Sequence, residues 1–325
     1  MDDNRQLDYT CMDATKNYFY IIAISCVVSV VLGLIYILSS RIMGVTYNAV
    51  VEMQWAIYIG IIITPISYLV LYFVYHKKNK IAVFEKPNIN VWFVLMSIVM
   101  AGVCIFAIAP ITNWISIGLQ HLGLKLNASL SYKMNTWWQI IFGIIGYALL
   151  PAVAEELLYR RVILKGFLSK HTVIGSILMT AFLFTIMHGS LRQVFYQIIL
   201  GLILTAMAYV TKSVLYPIIF HFTNNLAVVI LQLTGGEYLV SGSALSGSVA
   251  VNVVLYLLLA LVGLGLICYV FYVIGKKTTC TENKNNIIYG KSFAKNQTKA
   301  ENVYFYLSLI IVAAIWISNT VSYFM

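Results

Sequence analysis

An all-α, polytopic transmembrane helical bundle of about nine spans is the fold class this sequence predicts, and three observations predict it. Of its 325 residues, 61% are hydrophobic and 10% charged, with a mean hydropathy of +0.87. A soluble domain is about half apolar and roughly a quarter charged. The apolar residues come in long blocks, and a bilayer-spanning helix needs about 20 of them. The basic residues sit between those blocks, where the positive-inside rule expects them, so the formal charge of +10 does not point to nucleic acid. These observations exclude a water-soluble enzyme, a disordered tail protein and a secreted disulfide scaffold.

Residues 1–16 carry Asp2, Asp3, Asp8 and Asp13 against Arg5 and Lys16. That is the wrong charge for a signal-peptide n-region, and the apolar run after it is too long for one. Residues 18–40 are therefore a retained first span. Further spans follow at roughly 50–75, 90–118, 137–168, 172–188, 191–210, 214–233, 249–275 and 302–324. With the N-terminus in the cytoplasm, seventeen basic residues fall on the inner side and four (Arg41, Lys125, Lys133, Arg192) on the outer side. This bias predicts a cytoplasmic N-terminus and an external C-terminus.

The chain divides into a tail with two spans (1–89), a core (90–233) and C-terminal spans (234–325) with a basic cytoplasmic linker at 276–300. The last span reads as a loosely attached addition. Cys11, Cys26, Cys104, Cys268 and Cys280 are scattered without a CxxC pair, so no disulfide framework or zinc knuckle is implied. The sequons at Asn127 and Asn296 carry no weight. The short N-terminal tail and the lack of an organelle signal favour a bacterial plasma membrane.

Ionisable groups inside a bilayer are costly, so each is a functional candidate by default. In Glu155-Glu156-Leu157-Leu158-Tyr159-Arg160-Arg161, Glu156 and Arg160 are i and i+4 and share a helix face, whereas Glu155 lies about 100° round the helix. One carboxylate is thus neutralised by arginine while the other stays available. Taken alone, the cluster reads equally as a polar helix end. Phe184-Thr185-Ile186-Met187-His188 closes the fifth apolar run, and a lone histidine there is more often structural. His221 and Asn225 are again i and i+4, a pair that alone fits interhelical glue. Glu52 and Gln54 look interfacial.

The clusters gain force together. Glu155 lies sixteen residues before His171 and His188 seventeen after it, so a helical hairpin turning at 169–171 brings both to one depth within about 1.5 Å. A carboxylate facing an imidazole can deprotonate water, and nearby Asn and His donors can stabilise the oxyanion formed when that water attacks a carbonyl. The inferred chemistry is peptide hydrolysis inside a membrane. One distance does not close: His221 is about 12 Å from the turn at Ser213, against about 25 Å between His188 and its own inner turn.

The three motifs, in this order, resemble the CAAX-protease-and-bacteriocin-processing family, also called Abi proteins. These are intramembrane glutamic endopeptidases related to the Ras-converting CAAX prenyl protease. The family pattern EExxxR, FxxxH, HxxxN reads here as Glu155-Glu156-x-x-x-Arg160, Phe184-x-x-x-His188 and His221-x-x-x-Asn225. The resemblance implies that Glu155 activates water with help from His188. It implies that Glu156 and Arg160 support the site, and that His221 and Asn225 stabilise the oxyanion. The family often has Gly after the motif arginine. Arg161 in its place predicts an extra charge beside the site.

The resemblance further implies a peptide or protein substrate in or at the membrane, prenylated peptides or peptide precursors among them, with the lipid bilayer as the other partner. No cofactor is expected. Two alternatives stay open: a metal-dependent protease in which the same carboxylates and histidines ligate a divalent ion, and a non-catalytic membrane protein of transport or immunity type.

Overall fold

A computed structural model describes residues 9–83, 89–124, 134–242, 245–278 and 299–322. Asn127, Asn296, Cys280, the first eight residues and most of the basic linker lie outside the described residues. Every described regular element is a helix. The helices are α1 (Cys11–Met43), α2 (Tyr47–Val51), α3 (Gln54–Asn79), α4 (Val91–His121), α5 (Trp137–Leu168), α6 (Val173–Met187), α7 (Val194–Thr211), α8 (Leu215–Thr234), α9 (Val249–Thr278) and α10 (Lys299–Ser322). Eight of them are long and apolar enough to cross a membrane, which makes the protein an all-α polytopic bundle.

The boundaries follow local chemistry. Thr10 opens α1 through a reciprocal capping box with Asp13, and the Thr172 hydroxyl caps α6 by accepting from the Gly175 N–H at 3.0 Å, satisfying donors that a helix start leaves orphaned. Glycines in the left-handed region end α1 (Gly44) and α8 (Gly235), a conformation with no Cβ penalty. Glu52 is exposed at the end of α2.

Two long helices are not regular throughout. α4 widens to a π-turn at Cys104–Ile108, and α5 at Ile144–Leu149 and again at Leu157–Ile163. Pro110 and Pro151 each follow a π-turn by two residues. A proline removes the hydrogen bond to the carbonyl four residues back and crowds it, which accounts for a widened backbone at those two places. The third π-turn has no proline, and it directly follows Glu155-Glu156.

The fifth apolar run differs from its neighbours. α6 has 15 residues, or about 22 Å of helix, against a hydrocarbon core of about 30 Å. His188 caps its end. α7 folds back along it, and Gly201 allows the close approach: a Cβ there would lie 3.2 Å from both the Ala181 carbonyl and the Phe184 ring.

The two largest of four buried apolar clusters among the described residues hold the bundle together. One joins α1, α3, α5, α6 and α10 through Tyr18, Tyr72, Tyr159, Phe167, Phe184 and Val312. The other joins α4, α7, α8 and α9 through Met100, Leu204, Phe220 and Ile267. The last helix is not loosely attached. α10 packs along α1, and its Glu301 forms an ion pair with Lys170 at 2.5 Å.

Candidate active site

Glu156 is the most constrained of the expected site residues. It is fully buried on α5, and its Oε1 accepts from Arg160 Nη1 at 2.8 Å and from His221 Nδ1 at 2.9 Å. The i, i+4 ion pair read from the sequence is therefore present, and a histidine from α8 joins it. Burying charges is tolerated only with such pairing.

The Arg160 guanidinium also lies over the Phe184 ring, 4.3 Å from its centroid, a cation–π distance that strengthens in a desolvated setting. Phe184 is 1% exposed. Its ring is the hub of the site, meeting His188 at 4.9 Å, Tyr159 at 5.2 Å and His221 at 6.2 Å between centroids.

The mismatch in straight-helix distances is thus resolved by contact. α8 does bring His221 to the α5–α6 hairpin.

Both histidines have a defined tautomer. His188 Nδ1 lies 2.8 Å from the Phe184 carbonyl, and a carbonyl can only accept, so the proton is on Nδ1. The same argument applies to His221 Nδ1 against the Glu156 carboxylate. In each ring Nε2 is the nitrogen left to other partners. Glu155 is half-buried and lies within electrostatic range of His188, Tyr68 and Tyr159. Four polar atoms here are buried with no hydrogen-bond partner: Glu155 Oε2, Glu156 Oε2, Arg160 Nε and Arg160 Nη2.

Asn225 has a local cause for its position. Pro151 cannot donate to the Tyr147 carbonyl four residues earlier, and Asn225 Nδ2 donates to that carbonyl at 3.1 Å. Asn224 supports it from behind, donating to Asn225 Oδ1 at 3.3 Å while accepting from the Tyr196 hydroxyl at 2.5 Å. One amide N–H of Asn225 is left for another acceptor. Tyr147, Tyr196 and Asn224 were not singled out by the sequence reading. The proline four residues after Tyr147 was the available signal for the first of them.

Arg161 corrects an expectation. It is buried, but its charge does not sit in the site: Nε donates to the Tyr9 hydroxyl at 3.1 Å, Nη1 to the Val83 carbonyl at 2.6 Å and Nη2 to the Ala82 carbonyl at 2.5 Å. The adjacent position on a helix points about 100° away, which turns Arg161 toward the N-terminal tail and the end of α3.

Among the described residues, no group of three or more His, Cys, Asp or Glu is arranged to hold a metal ion. No curated protein and no solved structure matches the chain. Every motif position from Glu155 to Asn225 falls within residues 136–227, and that stretch matches the family model Rce1-like, type II CAAX prenyl endopeptidase Rce1-like. The protein is therefore a multi-pass membrane protein whose central segment is similar to the CAAX-type membrane endopeptidases, as its three motifs imply.

Proposed function

We propose that this chain is an intramembrane glutamic endopeptidase that hydrolyses membrane-associated or lipidated peptides. The observation that carries the reading is the convergence of His188 and His221 on the Phe184 ring, with Glu155 within electrostatic range of His188 and one of its carboxylate oxygens buried and unpartnered. An unmet carboxylate oxygen in a low-dielectric setting is costly to leave alone, and a substrate water donating to it satisfies it.

Glu155 removes a proton from that water while His188 Nε2 accepts the water's other hydrogen bond. The hydroxide adds to the scissile carbonyl carbon, and the carbonyl electron pair moves onto oxygen. The remaining N–H of Asn225 donates to this oxyanion. His221, when doubly protonated, donates Nδ1–H to Glu156 and Nε2–H to the same oxygen. The proton held by Glu155 passes to the leaving amine as the C–N bond breaks, giving a carboxylic acid and an amine. Glu156 and Arg160 hold His221 and the α5–α6 contact in place, and no step requires a metal. The excess of basic residues on one side supports a cytoplasmic N-terminus.

The test compares the membrane peptidome of cells carrying the parent with that of cells carrying Glu155→Gln at matched expression, and then assays cleavage of any peptide that differs. Loss of the catalytic base should lower cleavage by roughly 10²–10⁴-fold. Equal peptidomes and equal cleavage would overturn the reading, and activity that disappears on metal removal would overturn the metal-independent mechanism.

A further inference from the structure

We propose that Trp316 and Asn319, on the last helix, are positioning residues for His188. The inference rests on the reading of Glu155 and His188 as the water-activating pair. α6 ends at Met187, and a helix end leaves its last carbonyls without intrahelical donors. Two of the carbonyls flanking His188 receive side-chain donors from α10, the Ile186 carbonyl in addition to the Gly189 N–H at 3.3 Å. Trp316 Nε1 donates to the Ile186 carbonyl and Asn319 Nδ2 to the Gly189 carbonyl, both at 2.7 Å.

Trp316 and Asn319 are i and i+3, so they face α6 together. Gly189 has φ +59°, and a Cβ there would approach Asn319 Nδ2 to 3.2 Å and Ile315 Cγ2 to 3.5 Å. The turn is thus shaped to receive the asparagine. At the other end of the same pair of helices, Glu301 holds Lys170. Nineteen residues separate Lys170 from Gly189 and eighteen separate Glu301 from Asn319. α6 and α10 therefore run parallel and nearly in register, pinned at both ends.

His188 has its Nδ1 committed to the Phe184 carbonyl one turn back, so the direction of Nε2 follows the backbone of this last turn. A displacement of about 1 Å in a catalytic group can cost 10²-fold in rate. The clamp acts on that displacement and touches no reacting atom. Trp316 and Asn319 lie outside residues 136–227, the stretch that matches the protease family.

Two measurements on the full chain in lipid nanodiscs test this. The first needs no substrate: diethyl pyrocarbonate labelling of each histidine, read by mass spectrometry. Trp316→Phe keeps an aromatic ring and removes the donor, and Asn319→Leu keeps the branched shape and removes the amide. Each should raise the labelling rate of His188 severalfold and leave His221 unchanged, since Glu156 holds it. Val312→Ala, a core truncation on the same helix, should leave His188 labelling unchanged.

The second measurement is cleavage of the peptide identified by the peptidome comparison. Both donor-removing variants should lower kcat roughly tenfold, leave KM within about twofold and shift the pH profile of kcat. In a His188→Ala background they should have no further effect. Unchanged His188 labelling, or an equal change in Val312→Ala, would overturn the positioning of His188. Changed labelling with parental kcat would overturn its catalytic importance. If Glu155→Gln retains full cleavage, the protease mechanism fails, while the labelling result still judges the clamp.

Discussion

Arg160 and Arg161 are neighbours in sequence, equally buried, and differ in what surrounds them. Arg161 sits in a closed polar knot. It donates to Tyr9 and to the carbonyls of Ala82 and Val83. The Tyr9 hydroxyl donates in turn to His76 Nε2 at 2.8 Å, and His76 Nδ1 donates to the Tyr72 carbonyl at 2.7 Å. Arg160 faces the opposite condition, with Nη1 bonded to Glu156 and both Nε and Nη2 without a hydrogen-bond partner. Buried polar groups are normally satisfied, so a satisfied network reads as architecture and a partly satisfied one as a place where something else binds. The comparison separates the two duties more sharply than residue type does.

The largest effect that would break this comparison is on Glu155. In Glu155→Gln, cleavage should fall by roughly 10²–10⁴-fold while stability against denaturing detergent stays level or rises, because an unpartnered buried carboxylate oxygen has been neutralised. Asn225→Ala should cost about 10²-fold in kcat, the usual worth of one oxyanion donor, and lower stability slightly by removing its hydrogen bond to the Tyr147 carbonyl. A kcat within a few percent of the parent would remove Asn225 from the mechanism.

On the knot side, Arg161→Ala removes a donor from Tyr9, Ala82 and Val83, of which the Val83 carbonyl still accepts from the Tyr72 hydroxyl. It should lower stability by about 1–3 kcal/mol, read from detergent unfolding, with cleavage per folded molecule unchanged. If cleavage collapses while the fold survives, the division between the two arginines is wrong.

The smallest effect concerns His171, in the turn between α5 and α6. Burial, helped by Lys170 and opposed by Glu301, lowers its pKa below the ordinary 6.5. The unfolded chain therefore binds this proton more readily. The contribution to stability is fully present above about pH 6.5 and is lost as pH falls toward the lower folded value. His171→Gln should flatten the slope of thermal stability in that window, and an unchanged slope would show that the group is not responsible.

Much of this organisation was legible in the sequence. The α5 bounds coincide with the expected span at 137–168, and the remaining long helices agree within several residues, because a hydrophobic block of bilayer length has few other options. The Glu156–Arg160 pair followed from i, i+4 spacing. The part that was not legible depends on long-range contact. Nothing local says that His221 reaches Glu156, that Arg161 turns to Tyr9, or that Trp316 meets the Ile186 carbonyl. The π-turn at Leu157–Ile163 has no proline to announce it, and such turns occur often at functional sites.

The length of α6 has a consequence for the surrounding lipid. Its 15 residues stand beside α7 of 18, α10 of 24 and α5 of 32, and Ile174, Leu178 and Phe182, one turn apart, are each about half exposed on its outer side. Acyl chains next to that stripe meet a hydrophobic mismatch and must shorten locally or draw headgroups inward. A peptide tethered by a lipid would find the thinnest leaflet beside the helix that ends in His188. Turnover should therefore vary with acyl-chain length in reconstituted bilayers even where the protein itself is unchanged.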